Sequence, residues 1–241
     1  MTVARTRTKA LPLSPAEIVE RLSALYGRPV WRPHEDAMTE LVLTILSQNT
    51  SDTNSGRAFM RLHSRFPTWR EMMAAAPEEI EAEIRVGGLA PTKAPRIKRI
   101  LEEVWGRRAS FDLSFLGGMS LAEAKAWLRS LPGVGPKTAA CALMFALGKP
   151  ALPVDTHVQR VSQRLGLVPA KTGAAEAHDL LEAMLSPKEV YPFHISLISH
   201  GRGLCKAQRP LCAECPLNDR CPAALVYLGT KASRRRASRE I

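Results

Sequence analysis

The sequence predicts an all-α chain, on three observations. No stretch shows the sustained apolar–polar alternation of a half-buried strand. Apolar residues recur instead at helical spacing behind residues that start helices well. Two glycines, Gly133 and Gly135, flank a single apolar residue between two helix-compatible segments, Leu121 to Arg129 and Lys137 to Leu147. The 241 residues suffice for one large domain or two modest ones, and a hydrophobic share of 45% is enough for a core.

The elements follow in order. Residues 1–13 read as a basic disordered tail. Ser14-Pro15-Ala16-Glu17 is a helix start, with serine as N-cap, proline at the first helical position and glutamate three residues after the cap. The helix runs to about Tyr26, with Ile18, Leu22 and Leu25 on one face, and Gly27-Arg28-Pro29 breaks it. Trp31 to Asp36 is a loop. Met38 to Gln48 is nearly all apolar and long enough for a buried helix, although period alone does not exclude a strand. Ser47 to Asn54 is rich in short polar groups that suit a turn and a fresh N-cap, and also suit hydrogen bonding to bases or phosphates. Helices are expected over Ser55 to Phe66, Trp69 to Ala75 and Pro77 to Ile84. Gly87-Gly88 forms a turn presenting Leu89. An amphipathic helix then starts at Thr92, with Ile97, Ile100, Leu101 and Val104 inward and Lys93, Arg96, Lys98 and Arg99 on a solvated outer face. Helices are also expected from Val154 to about Gly166, Ala174 to Leu185 and Tyr191 to Gly203.

The segment Leu131-Pro132-Gly133-Val134-Gly135-Pro136-Lys137-Thr138 carries chemistry. Glycine permits a tight connection and close approach of another molecule. Pro136 suits the first position of the second helix. The unpaired amides of Gly133, Gly135 and the first turn would make an anion site, and on a basic chain the expected anion is a nucleic-acid phosphate. Lys137 stands in that first turn, where the helix dipole disfavours an ammonium. Two roles suit it equally: an amine nucleophile, or a plain phosphate contact. Asp155, eighteen residues further on, is expected to cap the helix that starts there, and it also suits a carboxylate held beside Lys137.

Cys205, Cys212, Cys215 and Cys221 have the spacing C-x6-C-x2-C-x5-C. Structural zinc usually shows two close ligand pairs. This run has one, and its compact loops suit a [4Fe–4S] cluster better. Lys206 and Arg209 lie in the longer loop, within reach of phosphate. Cys141 is a small core residue. Four clustered cysteines out of five argue for a metal site in a reducing compartment, not a disulfide framework.

The formal net charge is +11. Arg5, Arg7 and Lys9 at one end, with Lys231, Arg234, Arg235, Arg236 and Arg239 against Glu240 at the other, supply seven of those charges. Both ends therefore read as basic tails that raise affinity for a polyanion or serve solubility. No run approaches a membrane span, and the basic N-terminus leads into no apolar stretch of a signal peptide.

From Leu41 to Cys221 the chain resembles the endonuclease III family of DNA glycosylases, in the helix-hairpin-helix superfamily. The hairpin Leu131-Pro132-Gly133-Val134-Gly135-x-Lys137-Thr138, the Val154-Asp155-Thr156-His157 motif and the four-cysteine spacing carry the resemblance. It implies a two-domain all-α fold. Residues 37–149 would form a six-helix barrel containing the hairpin. Residues 14–36 and 150–224 would form the [4Fe–4S] domain, with a basic tail over 225–241. It implies a glycosylase and abasic-site lyase that removes oxidised or damaged pyrimidines from double-stranded DNA; the sequence gives no sign of an oligomer, so a monomer is expected, in the cytoplasm at the nucleoid. Lys137 would be the nucleophile and Asp155 its partner. Gly133, Gly135, His157, Lys206 and Arg209 would contact DNA, and Leu89 would wedge into the duplex. The four cysteines would hold the cluster.

One departure concerns the residue that fills the gap left by the flipped base. The family pattern Ser-x-Gln-x-Thr-Asp is here Ser47-Gln48-Asn49-Thr50-Ser51-Asp52. Aligned by Ser47 and Asp52 the filler is Asn49; shifted by one it is Gln48. The rivals are a thymine or uracil mismatch glycosylase and a non-catalytic DNA-binding module. An adenine-specific relative is disfavoured, because it carries a glutamate where this chain has Thr44 and lacks a lysine at position 137.

Overall fold

The computed structural model describes residues 13–237, with side chains in the last helix described through residue 229. All regular structure among these residues is helical. The chain divides into two compact units, Trp31–Pro153 and the pair of segments Met1–Val30 and Val154–Ile241.

The Trp31–Pro153 unit is organised on α2 (Ala37–Leu46). Asp36 caps this helix by accepting from the amides of Met38 and Thr39 at 2.9 and 3.0 Å. Its apolar residues leave no polar face: Met38, Leu41, Val42, Ile45 and Leu46 are all fully buried. A helix covered on every side needs neighbours all round. Those are α3 (Asp52–Arg65), α6 (Ala90–Arg108), α8 (Pro136–Cys141) and the wider π-helical turn Ala142–Ala146. Between them lie α4 (Trp69–Ala74), α5 (Pro77–Ile84) and α7 (Leu121–Arg129). Ser120 and Glu123 close α7 with the reciprocal box that satisfies two orphan amides.

The sequence predicts one helix from Lys137 to Leu147, whereas α8 ends at Cys141 and continues as the π turn. A π turn displaces carbonyls from the regular ladder, and here other groups take them up. The Trp31 indole donates to Met144 O at 2.8 Å and the His34 amide donates to Phe145 O at 3.4 Å.

The other unit packs α11 (Val190–Gly203) against α1 (Pro15–Tyr26) and α9 (Thr156–Leu165), with α12 (Pro222–Ala237) on α9. Ile18 and Leu22 of α1, Val158, Val161 and Leu165 of α9, and Phe193 and Leu197 of α11 are buried. The short α10 (Ala174–Ala183) adds Ala177 and Leu181. Gly166 ends α9 in the left-handed region at φ 78°, which glycine adopts without a Cβ clash.

Two expectations are corrected. The basic tail expected from residue 225 is instead helical through Ala237, because alanine, leucine, lysine and arginine all favour helix. Of the expected N-terminal tail only Leu13 is described, and it is buried; the rest lies outside the described residues. The outer face expected on α6 is also wrong in part, since Lys93 is 1% exposed.

Candidate functional site

In the Trp31–Pro153 unit the hairpin joins α7 to α8. Val134 is buried beneath it, while Gly133 is exposed at φ 74°. That φ suits glycine alone among common residues. Gly135 stands at the N-cap of α8 and no side chain caps the helix, so the first-turn amides have no side-chain acceptor. Lys137 is half-buried in that first turn. The following residues Thr138, Ala139, Ala140 and Cys141 are buried, which fixes the base of the turn against the core.

Lys137 has an acidic neighbour that sequence reasoning missed. Glu40 interrupts the apolar run of α2 and interacts with Lys137. Burial pushes its carboxyl up from 4.5 to about 7; Lys137 pulls against that shift and Glu35 adds to it. A lone acid inside an otherwise apolar helix was the available signal. Thr44, one turn further along α2, is buried, and no glutamate stands there.

The turn after α2 separates the two candidate gap residues. Gln48 is half-buried. Its Oε1 accepts from Arg96 Nη1 at 2.8 Å and its Nε2 reaches Thr138 Oγ1 at 3.5 Å. Asn49 is exposed and stands at φ 54°, a left-handed conformation that asparagine tolerates better than most residues. Leu89 has a similar geometry, at φ 53° and 51% exposed, at the N-cap of α6. The roots of these two turns are joined by the buried Lys93, whose Nζ donates to Leu46 O at 2.7 Å and to Gly87 O at 2.8 Å. Burial lowers the pKa of this lysine, and Arg96 adds to the effect. Lys98 is used similarly, donating to Met73 O and Ala75 O at 2.7 and 2.8 Å. Most of the expected solvated face of α6 therefore fastens the unit internally.

In the other unit Asp155 caps α9, its Oδ1 accepting from the Val158 amide at 2.7 Å. Lys137 and Asp155 thus belong to different units. His157 lies against Gly201, where an added Cβ would meet its Cβ at 2.9 Å, and its Nδ1 is 3.1 Å from Arg160 Nη2. Lys206 and Arg209 are exposed, the latter at φ 52°. Two arginines one helical turn apart on α9 hold this region, and sequence reasoning passed over both. Arg160 donates to Gly201 O at 2.8 Å and to Cys205 O at 3.1 Å. Arg164 donates to Lys206 O at 2.7 Å and to Cys205 Sγ at 3.3 Å.

Cys205, Cys212, Cys215 and Cys221 line one pocket with Val161, Leu165, His200 and Leu204. Thiols spread around a cavity suit a cuboidal cluster better than tetrahedral zinc. The donors agree with this: the Leu217 amide reaches Cys215 Sγ at 3.4 Å, beside the Arg164 contact to Cys205. Burial raises the Cys215 thiol to about 11, against the Leu217 hydrogen bond and with the help of the neighbouring thiols. Burial raises Cys221 as well. Four thiolates in such a site are stabilised by the positive charge of a bound metal centre. Cys141 is buried in the other unit, as expected of a core residue.

Residues 42–187 match the family of HhH-GPD superfamily base excision DNA repair proteins, and residues 205–221 match the iron–sulfur binding domain of endonuclease III. Endonuclease III of Thermotoga maritima is 38% identical over 210 residues, which cover 85% of this chain and 92% of that protein. Endonuclease III of Treponema pallidum is 35% identical over 85% of this chain and 92% of its own length. An Arabidopsis thaliana relative is 38% identical over 192 residues, and the chain spans only 63% of its length. Among solved structures, an endonuclease III trapped as a covalent intermediate with DNA has a TM-score of 0.75 at 28% identity, covering 90% of this chain and 99% of that one. A thermostable thymine-DNA glycosylase shares the fold, with a TM-score of 0.69 at 21% identity.

Proposed function

The chain belongs to the endonuclease III family of base-excision DNA repair enzymes, glycosylases with abasic-site lyase activity that carry a [4Fe–4S] cluster, and on that premise we propose that Lys137 is the imine-forming nucleophile acting on oxidised pyrimidines. The observation that carries this is the half-buried Lys137 in the first turn after the Gly133–Gly135 hairpin. An endonuclease III trapped as a covalent intermediate with DNA supports covalent catalysis by a protein nucleophile.

The target nucleotide leaves the stack, because its C1′ is unreachable within a duplex. The Lys137 nitrogen bonds to C1′ as the glycosidic bond breaks and the base departs with that electron pair and a proton. The C1′–O4′ bond then opens to give an iminium and a 4′-hydroxyl. Loss of a C2′ proton expels the 3′ phosphate by β-elimination, and water hydrolyses the imine. The Asp155 carboxylate stabilises positive charge developing on the sugar and assists the proton transfers. The amides of Gly133 and Gly135, with His157, Lys206 and Arg209, bind phosphate and DNA near the lesion. Leu89 enters the stack as an apolar wedge. Cys205, Cys212, Cys215 and Cys221 ligate the cluster, which shapes the loop bearing Lys206 and Arg209 and takes no part in bond cleavage. The protein acts as a monomer, at the nucleoid where its substrate lies.

Borohydride trapping tests this on duplexes carrying one abasic site or one thymine glycol, with wild type and Lys137→Ala. Adducts on both duplexes, lost in the variant, are expected. An adduct on the abasic duplex alone moves the substrate to mismatched thymine or uracil. Retention of the adduct in Lys137→Ala overturns the nucleophile.

A further inference from the structure

Arg96, in the Trp31–Pro153 unit, has no part in the bond-making steps but lies beside the hairpin. Its side chain lies across the exposed hairpin. A Cβ built on Gly133 would meet Arg96 Nε at 2.7 Å and Cδ at 2.8 Å. From there its Nη1 donates to Gln48 Oε1 at 2.8 Å. The other end of the Gln48 amide points to Thr138, the residue after Lys137, at 3.5 Å. One glutamine therefore ties the turn that follows α2 to both the hairpin and the nucleophile's helix. Its neighbour Asn49 is exposed and carries the left-handed backbone of a turn apex.

We infer that Arg96 is a positioning residue that locks Gln48 to the hairpin, so that Asn49 alone enters the gap opposite a flipped nucleotide and reads the opposite base. The inference rests on the flipped-nucleotide reading given above. For Gln48 to swing out it would have to give up a charge-assisted hydrogen bond and leave the half-buried Arg96 guanidinium without that acceptor. Asn49 gives up nothing comparable. Asparagine carries both a donor and an acceptor, so it can distinguish base edges as glutamine does, from a stem one carbon shorter. Gly133 makes the tie possible, since any larger residue there would displace Arg96.

The test is single-turnover strand cutting on four duplexes with an abasic site opposite A, G, C or T. The quantity read is the ratio of the fastest to the slowest rate. Wild type, Asn49→Gly, Gln48→Leu, Arg96→Met and the Gln48→Leu/Arg96→Met double variant are compared, each with its Tm. Asn49→Gly suits the positive φ and removes only the side chain. It is expected to compress the ratio about tenfold, the value of one good polar contact. Gln48→Leu and Arg96→Met are each expected to compress it similarly, with Tm lowered only by the few degrees that one lost hydrogen bond costs, and the double variant no further than either alone. Loss of the ratio in Gln48→Leu with its retention in Asn49→Gly would assign the gap to Gln48 and overturn the inference. Additive effects of Gln48→Leu and Arg96→Met would also overturn it, as would a wild-type ratio near one. Wild-type borohydride adducts on the same duplexes keep the two readings apart. Their absence sinks the proposed function, and their presence with any of these results sinks only the tie.

Discussion

Lys93 Nζ donates to the carbonyl of Leu46 at 2.7 Å, across 47 positions of sequence, and to Gly87 O at 2.8 Å. The first carbonyl ends α2 just before Gln48 and Asn49. The second belongs to the turn that presents Leu89. One buried ammonium therefore fixes the spacing between the two turns assigned to the interrupted DNA stack.

Lys93→Met keeps the aliphatic stem and removes the donor. Two buried carbonyls then lose their partner, while the cost of burying a charge disappears. The balance is a net loss of about 2 kcal/mol. Denaturant unfolding measures it. The cysteines lie in the other unit, so the variant is expected to keep its iron content and the visible absorption of an iron–sulfur cluster.

Glu40 predicts a pH dependence of stability. Its folded carboxyl titrates at about 7 against an ordinary value of 4.5. Between those two values the folded state binds more proton than the unfolded state, so stability falls as pH rises. The full effect is on the order of 3 kcal/mol, reduced where water reaches the half-buried group. Glu40→Gln removes the titration. Its stability relative to wild type is expected to rise between pH 5 and pH 8, and an equal pH slope in both proteins would remove Glu40 as the cause.

These residues show where the sequence was readable. Local caps and periods are legible: Ser14 closes the box that starts α1, and the apolar run from Met38 is helix α2. Lys93 was misread because charge outweighed period. It lies four residues before Ile97, on the inward face, and the carbonyls that make its burial tolerable come from distant turns. Arg96 was assigned to solvent for the same reason, since its partner Gln48 is 48 positions away in sequence. The hairpin turn, the Asp155 cap and the cysteine spacing are local signals and are legible. The hydrogen bond that sets Gln48 apart from Asn49 is not, because its donor comes from another helix.

Loss of the cluster is expected to act locally. The loop Cys205–Cys221 has one short 3-10 turn of its own, at Cys212–Glu214, and leans on Arg160 and Arg164 from α9. Cys212→Ser should yield a protein with little iron and no visible absorption. Amides of residues 206–221 should then exchange faster. The α9 and α11 amides should stay protected, since Val158, Phe193 and Leu197 are fully buried where these helices pack together. Collapse of protection along α11 would show that the cluster supports the whole unit.

Asp155 allows its two roles to be separated by choice of substitution. Its Oδ1 accepts from the Val158 amide at 2.7 Å, and an asparagine oxygen makes the same bond. Asp155→Asn is therefore expected to leave Tm nearly unchanged while removing the negative charge that opposes the developing sugar cation. Base removal should slow on the order of a hundredfold in single turnover, the usual scale for loss of one electrostatic stabiliser. Asp155→Ala loses the cap as well, at about 1 kcal/mol, and should lower Tm with no greater loss of rate. A variant pair whose rates follow Tm would mark Asp155 as a cap alone; a slow, stable Asp155→Asn would identify it as the partner of Lys137.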